Sequence, residues 1–376
     1  MSMSMNRTQS DAIKTGKKSL MRHLIVVAML GLAAPTYAQE LAQLTAAAQS
    51  NASAQMAWSE DDVSRFMDGE AAAANTRHPE DIDIPAQTTV FTTVQPTAPT
   101  VATPPISTTT ITTTLAPKAQ ISSFSNQPSV NARAAMVMDA ETGEILYTKN
   151  SQSVLPIASI TKLMTAVITA DARLNMDERI TLQSADFSCA GCKSSSSSLR
   201  VGDSMNRAEA LLFALMKSEN PAAAALARTY PGGRSAFIAA MNSKAKALGM
   251  HSTHYVESTG LHPSNVSSAR DLAILVSSSY QYGLIRQFST TPNYRFNLGQ
   301  RVLSSNNTNA LVRNGGWNIN ISKTGFINEA GRCVVMHSTV NNRPVAVIIL
   351  GAGNTAARNE DATRLMTWVG QIPKNI

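Results

Sequence analysis

The chain lacks the signatures by which many hydrolases and metal enzymes are identified. No His-Glu-x-x-His and no Gly-x-Ser-x-Gly occurs among its 376 residues, so neither a zincin nor a nucleophile-elbow hydrolase has support. Cysteine is scarce, at three residues. Cys189 and Cys192 stand in Cys-Ala-Gly-Cys, but a serine run follows where a redox pair needs a helix. No second ligand pair completes a zinc site. In an exported chain these two could close a small disulfide. Cys333 lies in an apolar run, the setting of a buried structural thiol. His251 and His254 have ligand-like spacing, yet they follow Gly249 in a polar turn and read as surface histidines. No metal and no cofactor is expected.

Strong charge and long apolar runs are missing too. The net charge of +7 includes residues 1–38, which carry five basic side chains and one acidic; the remainder is near +3. That is too mild to indicate a nucleic-acid partner. The apolar run at 24–34 is too short to span a bilayer. Lys17, Lys18 and Arg22 precede it and Thr36-Tyr37-Ala38 follow, the layout of a secretory signal cleaved after Ala38. Met21 would begin an equally complete, shorter signal. With no cysteine near the exit, no lipid anchor is expected, and the mature protein is placed in the periplasm without a transmembrane anchor.

Between Ile84 and Pro117 there is no charge at all, and Thr and Pro dominate. Residues 39–130 therefore read as a disordered Thr/Pro-rich extension and linker. Composition changes near residue 132, and 131–376 reads as a folded domain. ARAAMVMDAETGEILYTKN predicts two strands joined by a turn at 141–143. ASITKLMTAVITADARL has helical spacing with Ser159 at its start, and NRAEALLFALMKSENPAAAALARTY holds two helical runs broken at 218–221. GGRSAFIAAMNSKAKALGM and SSARDLAILVSSSYQYG add two helices. INISKTGFI, RCVVMHSTV and RPVAVIILGA predict strands joined by short turns, hence antiparallel, and DATRLMTWVGQI a closing helix. The expected fold class is α/β of the α+β kind: a mostly antiparallel sheet from both ends of the domain, flanked by helices, with a helical subdomain between.

A nucleophilic hydroxyl needs a base, a pocket for developing charge and a proton route to the leaving group. Ser159 and Lys162 supply the first pair, because residues three apart share a helix face. The lysine must be neutral to act, so it needs a desolvated site or a second cation nearby. Ser243 and Lys244 repeat the spacing inside a helix whose lysines face water. Ser218-Glu219-Asn220 sits at a break between apolar helical runs, where a loop can enter a cleft or merely cap a helix. Lys323-Thr324-Gly325 lies on a predicted strand, where a small glycine would let a substrate backbone lie alongside. The same triplet at 14–16 precedes the signal's apolar run. Only the later copy falls third in an ordered series with the other two motifs.

PIASITKLMTA, ALMKSENPAAAALA, YPGGRSAFIAAMNSKAKALGM, STGLHPSNVSSARDLA and WNINISKTGFINEAGRCVVM together resemble the low-molecular-mass penicillin-binding proteins of the D-alanyl-D-alanine endopeptidase kind, over about residues 132–370. The resemblance implies a penicillin-binding protein/β-lactamase-like transpeptidase fold. It implies peptidoglycan stem peptides and their cross-links as substrates, and β-lactams as covalent inhibitors. Ser159 would attack the D-alanyl carbonyl with Lys162 as base. Ser218 would pass a proton to the leaving amine, and Asn220 would hold Lys162 and a substrate amide. Lys323 and Thr324 would bind the carboxylate beyond the scissile bond, with Gly325 beside them, Arg358 assisting, and the amides of Ser159 and Phe326 forming an oxyanion hole. The extension at 39–130 and the stretch at 189–198 are not part of the pattern.

A class A β-lactamase would need a Glu-x-x-Leu-Asn loop, and none occurs; Glu257 precedes Ser-Thr-Gly-Leu instead. A D-alanyl-D-alanine carboxypeptidase would use the same machinery on pentapeptide ends. Family members of that kind add a C-terminal β-domain and an amphipathic anchor, whereas 51 residues follow Gly325 here, which favours the endopeptidase. A non-catalytic peptidoglycan-binding protein would not need intact motifs.

Overall fold

The computed structural model describes residues 126–373. The signal peptide expected at 1–38, the first Lys-Thr-Gly triplet and all but the end of the 39–130 extension lie outside the described residues. Residues 126–172 and 176–373 build one unit.

Five strands form its sheet: β1 (Ala134–Asp139), β2 (Ile145–Lys149), β9 (Asn318–Ile327), β10 (Gly331–Val340) and β11 (Arg343–Ala352). Their order is β2-β1-β11-β10-β9, and every pairing is antiparallel. Strands from the two ends of the domain thus meet at β1 and β11, as the sequence predicts. Alternation along β11 divides the core. Ala346, Ile348 and Leu350 join the large cluster shared with the helical body, while Val345, Val347 and Ile349 join a second cluster. The second is closed by Leu365, Met366 and Trp368 of the C-terminal helix α8 (Thr355–Val369). Helices on both faces explain why β10 and β11 read as continuous apolar runs, a pattern antiparallel strands show only when neither face meets water.

Between β2 and β9 the chain forms β3 (Leu155–Pro156), α1 (Thr161–Asp171), β4 (Arg179–Thr181), β5 (Ser204–Asn206), α2 (Arg207–Leu212), α3 (Asn220–Arg228), α4 (Gly233–Ala247), β6 (Val266–Ser267) and α5 (Ala269–Ser279). Local signals place several of these. Asn206 and Glu209 make a reciprocal capping box on α2, and Ser268 accepts from Asp271 N to start α5. The break at 218–221 has a backbone cause. A π-helical turn, Phe213–Lys217, ends at Ser218 in the left-handed region (φ 64°), and α3 starts afresh with Pro221 in its first turn.

Besides the short strands β3 to β6, the elements not expected are α6 (Gly283–Thr290), the hairpin β7 (Asn293–Asn297) with β8 (Val302–Asn306), and α7 (Ala310–Asn314). The hairpin buries only one side chain per strand and α7 none, so neither carries a strong apolar period. Among the described residues no helix is long and apolar enough to cross a membrane.

The first described residues are fastened to α8. Asp361, fully buried, accepts from Asn131 N at 2.9 Å and Ala132 N at 2.8 Å, and Val130 is buried beside them. Asp361→Ala should strand the buried Ala132 N–H and leave the partly buried Asn131 N–H to water, at about 2–3 kcal/mol in all. Calorimetry should show a melting temperature lower by roughly 4–12 °C. An unchanged midpoint would mean that this latch does not contribute.

Candidate active site

Ser159 sits in a 3-10 turn, Ala158–Ile160, that runs into α1. Ala158 has φ 49°, a left-handed conformation that costs a non-glycine residue on the order of 1 kcal/mol or more and persists only where surroundings impose it. Two glycines make room for it. A Cβ on Gly260 would lie 1.9 Å from Ala158 O, and one on Gly325 would lie 3.1 Å from Ser159 N and 3.0 Å from Ile157 O. For Gly325 this adds a second reason to the one expected: its missing side chain makes room for the chain's own Ala158–Ile160 turn.

Lys162 lies one turn into the helix and is fully buried. Its amine donates to Ser159 Oγ at 2.9 Å, to Asn220 Oδ1 at 2.6 Å and to the Thr259 carbonyl at 2.6 Å. Burial pulls its pKa down to about 7, against the opposing charges of Glu257 and Glu219. An amine so placed exchanges its proton near neutrality, and when it is neutral the contact to Ser159 can reverse, with the hydroxyl donating.

Lys323, from β9, is also fully buried and donates to Ser218 Oγ at 2.9 Å and to the Thr324 carbonyl at 2.9 Å. Burial, then the positive charges of Lys162 and Arg358, hold its pKa well below the usual lysine range. Thr324 Oγ1 donates to Thr308 Oγ1 at 2.6 Å. The structure therefore forms two hydrogen-bonded groups, Ser159 with Lys162 and Asn220, and Ser218 with Lys323, with Thr324 next to the latter; the Lys162 amine is near enough to act on Lys323, and Gly325 packs on the serine turn. Phe326 is exposed, and the Arg332 guanidinium stands 3.6 Å from its ring centroid. Arg358 is buried near Lys323 and donates to Asn359 Oδ1; burial and Arg332 lower its pKa to about 10.

Residues set aside by the sequence reading fall elsewhere. Lys244, on α4, makes a partly exposed ion pair with Asp171 at 2.8 Å, and Lys246 is exposed, so the repeat of the spacing at Ser243 carries no buried amine. His251 and His254 are exposed. Cys333 is buried, and burial raises its thiol pKa to about 11. Cys189 and Cys192 are joined in a disulfide.

The stretch 189–198, outside the family pattern, supplies a wall of the cleft. Lys193 N donates to Leu261 O and its amine pairs with Glu329 at 2.6 Å. Ser195 Oγ accepts from Asn220 Nδ2 at 2.7 Å, and Ser197 and Ser198 both hydrogen-bond the Glu219 carboxylate. The run of five serines is the signal that could have marked it, since hydroxyls so concentrated can bind a neighbouring loop's polar groups. Glu257 and Asn265, which fix the Thr259 carbonyl, had no role assigned from the sequence. Beside them a cavity of about 520 Å³ is lined by Phe187, Ile238, Val256, Glu257, Leu261 and Asn220.

Comparisons with known proteins give one direction. Residues 121–354 match the family described as D-alanyl-D-alanine carboxypeptidase. The chain is 47% identical over 250 residues to a D-alanyl-D-alanine endopeptidase of Pseudomonas aeruginosa, covering 65% of this chain and 80% of that one. It is 44% identical over 254 residues to the D-alanyl-D-alanine endopeptidase of Escherichia coli, covering 67% and 81%. Among solved structures, a Streptomyces DD-transpeptidase superposes with TM-score 0.61 at 31% identity, covering 65% of this chain and 99% of that chain.

Gly260→Ala should push the Ala158–Ile160 turn out of place. Because a misplacement of about 1 Å can cost roughly 10²-fold, acylation of Ser159 should slow by at least that factor. Ser159-directed labelling measures it, and a rate within a factor of three of wild type would show that the turn tolerates the methyl group.

Proposed function

Because the chain belongs to the D-alanyl-D-alanine carboxypeptidase family, we propose that it is a serine D,D-endopeptidase that hydrolyses D-alanyl cross-links between peptidoglycan stem peptides. The observation that carries the reading is the buried Lys162 amine 2.9 Å from Ser159 Oγ, beside the strand bearing Lys323 and Thr324. The endopeptidase names of the two relatives favour cross-links over free ends.

In this reading neutral Lys162 takes the Ser159 proton as Oγ forms a bond to the D-alanyl carbonyl carbon. The amides of Ser159 and Phe326 receive the oxyanion. As the tetrahedral species collapses, the C–N bond breaks and Ser218 gives its proton to the leaving amine. Lys323, bonded to Ser218 Oγ, is placed to replace that proton. Water then attacks the acyl ester: Lys162 returns its proton to Ser159 Oγ as the ester C–O bond breaks, and the proton the water releases restores Lys323. Asn220 holds Lys162 and a substrate amide; Lys323 and Thr324, with Arg358 nearby, bind the carboxylate beyond the scissile bond. A β-lactam would be attacked in the same way and remain on Ser159. We place this chemistry in a domain at 131–376 of a periplasmic protein, behind a signal at 1–38 and a linker at 39–130.

The family's own description favours a second reading, trimming of terminal D-alanine from stem pentapeptides. Digestion of purified cross-linked sacculi separates the two. Dimeric muropeptides should fall to monomers, and loss of terminal D-alanine alone would overturn the endopeptidase reading.

The amine also sets a pH dependence. Since only neutral Lys162 accepts a proton, acylation by a fluorescent penicillin should fall below a midpoint at about pH 7, roughly tenfold per pH unit. Ser159→Ala should take no label. A flat profile from pH 5 to 8 would rule out Lys162 as the base.

A further inference from the structure

We infer that Glu257 is a positioning residue for Lys162: it fixes the carbonyl that meets the amine and supplies the negative charge that the amine faces. The inference rests on the reading of Lys162 as base for Ser159.

Glu257 lies in the loop before α5, three residues ahead of Gly260. Its carboxylate accepts from Thr259 N at 2.5 Å, Gly260 N at 2.6 Å and Asn265 Nδ2 at 3.0 Å, with His262 N at 3.4 Å. Those bonds close the 257–262 turn on itself. The closed turn points the Thr259 carbonyl at Lys162 Nζ and brings Gly260 against Ala158 O. Asn265, fully buried, completes the clamp. Its Oδ1 accepts from Val256 N at 2.8 Å, its Nδ2 reaches Thr161 Oγ1 at 3.1 Å, and its carbonyl accepts from Ile157 N at 3.0 Å. One carboxylate and one amide therefore tie the nucleophile turn, the base and the loop behind them into a single unit.

A neutral side chain could close such a turn, and the carboxylate does more. The charged groups acting on Lys162 are Glu257 and Glu219, and the amine in turn acts on Lys323. Glu257 itself shares its cavity with Asp186, Arg234 and His262, and a carboxylate oxygen lies within 4.8 Å of the Cys189 and Cys192 sulfurs. Glu219 is bound by Ser197 and Ser198, whereas Glu257 spends its oxygens on the turn that touches the amine. Its charge favours the protonated amine, so it opposes the effect of burial on Lys162.

The sign of the outcome follows. Removing a negative charge lowers the pH at which the amine becomes neutral, so the acid limb of Ser159 acylation should move down. In Glu257→Gln, one oxygen acceptor remains and the charge is lost. The limb should shift down by about one pH unit, while the plateau rate falls by about tenfold because the turn closes less well. Glu257→Asp keeps the charge, so its limb should stay with the wild type while its plateau falls. If Glu257→Gln does not fold, Val256→Lys places a cation on the exposed neighbouring side chain without removing the turn's acceptors, and its limb should also move down. Acylation is followed with a fluorescent penicillin, and Ser159→Ala is run alongside. Label persisting on Ser159→Ala would overturn the underlying reading. A limb that stays at the wild-type pH in Glu257→Gln, or in Val256→Lys where that is the variant that folds, would overturn the role of Glu257.

Discussion

A primary amine taken wholly out of water, with three oxygens around it, governs this structure. An unpaired buried cation would cost several kcal/mol or more, and a buried neutral amine with unmet acceptors around it would be costly too. Lys162 sits between those limits. Its three partners come from separate places: Ser159 one turn earlier, Asn220 at the first residue of α3, and the Thr259 carbonyl from the loop before α5. Each element has to arrive in register for the amine to be satisfied at all. The burial that lowers the Lys162 pKa also makes the helical body converge on one point.

The sheet adds a second buried amine. Burial, then the charges of Lys162 and Arg358, hold Lys323 away from full protonation. β9 can deliver Lys323 there because it is an edge strand of the five, bonded to β10 on one side and facing the cleft on the other. β10 and β11 behind it are buried on both faces. The cleft thus lies between a stiff strand and a set of helix termini, and Ser218, held in a left-handed conformation, joins them through its bond to Lys323.

The motifs could be read because their chemistry depends on residue types at fixed local spacings: Ser159 with Lys162 on one helix, Ser218 with Asn220 at a helix break, Lys323 with Thr324 on a strand. The central strands were readable because two-sided burial leaves continuous apolar runs, as in β11. The β7–β8 hairpin and α7 left no such trace, since they bury little. Glu257, Asn265 and the serines at 195, 197 and 198 were assigned no role for a different reason. They act on backbone groups and on other side chains brought near by the fold, and short polar residues with those tasks look like any loop. Gly325 was recognised but explained only in part, because the turn it packs against comes from a part of the chain more than 160 residues earlier. Ala158 could not be read at all: nothing about an alanine announces a positive φ.

The wall made by 189–198 has a mechanical consequence. It is held by hydroxyl hydrogen bonds, one short disulfide loop and a half-exposed ion pair between Lys193 and Glu329, and it adds little apolar surface to the core. Bonds of that kind can be exchanged for water at small cost, whereas β9 cannot leave β10 without breaking a ladder of ten-residue strands. The two sides of the cleft therefore differ in compliance. A bulky guest would be accommodated by the serine-rich side giving way, while the lysine-bearing strand keeps its position.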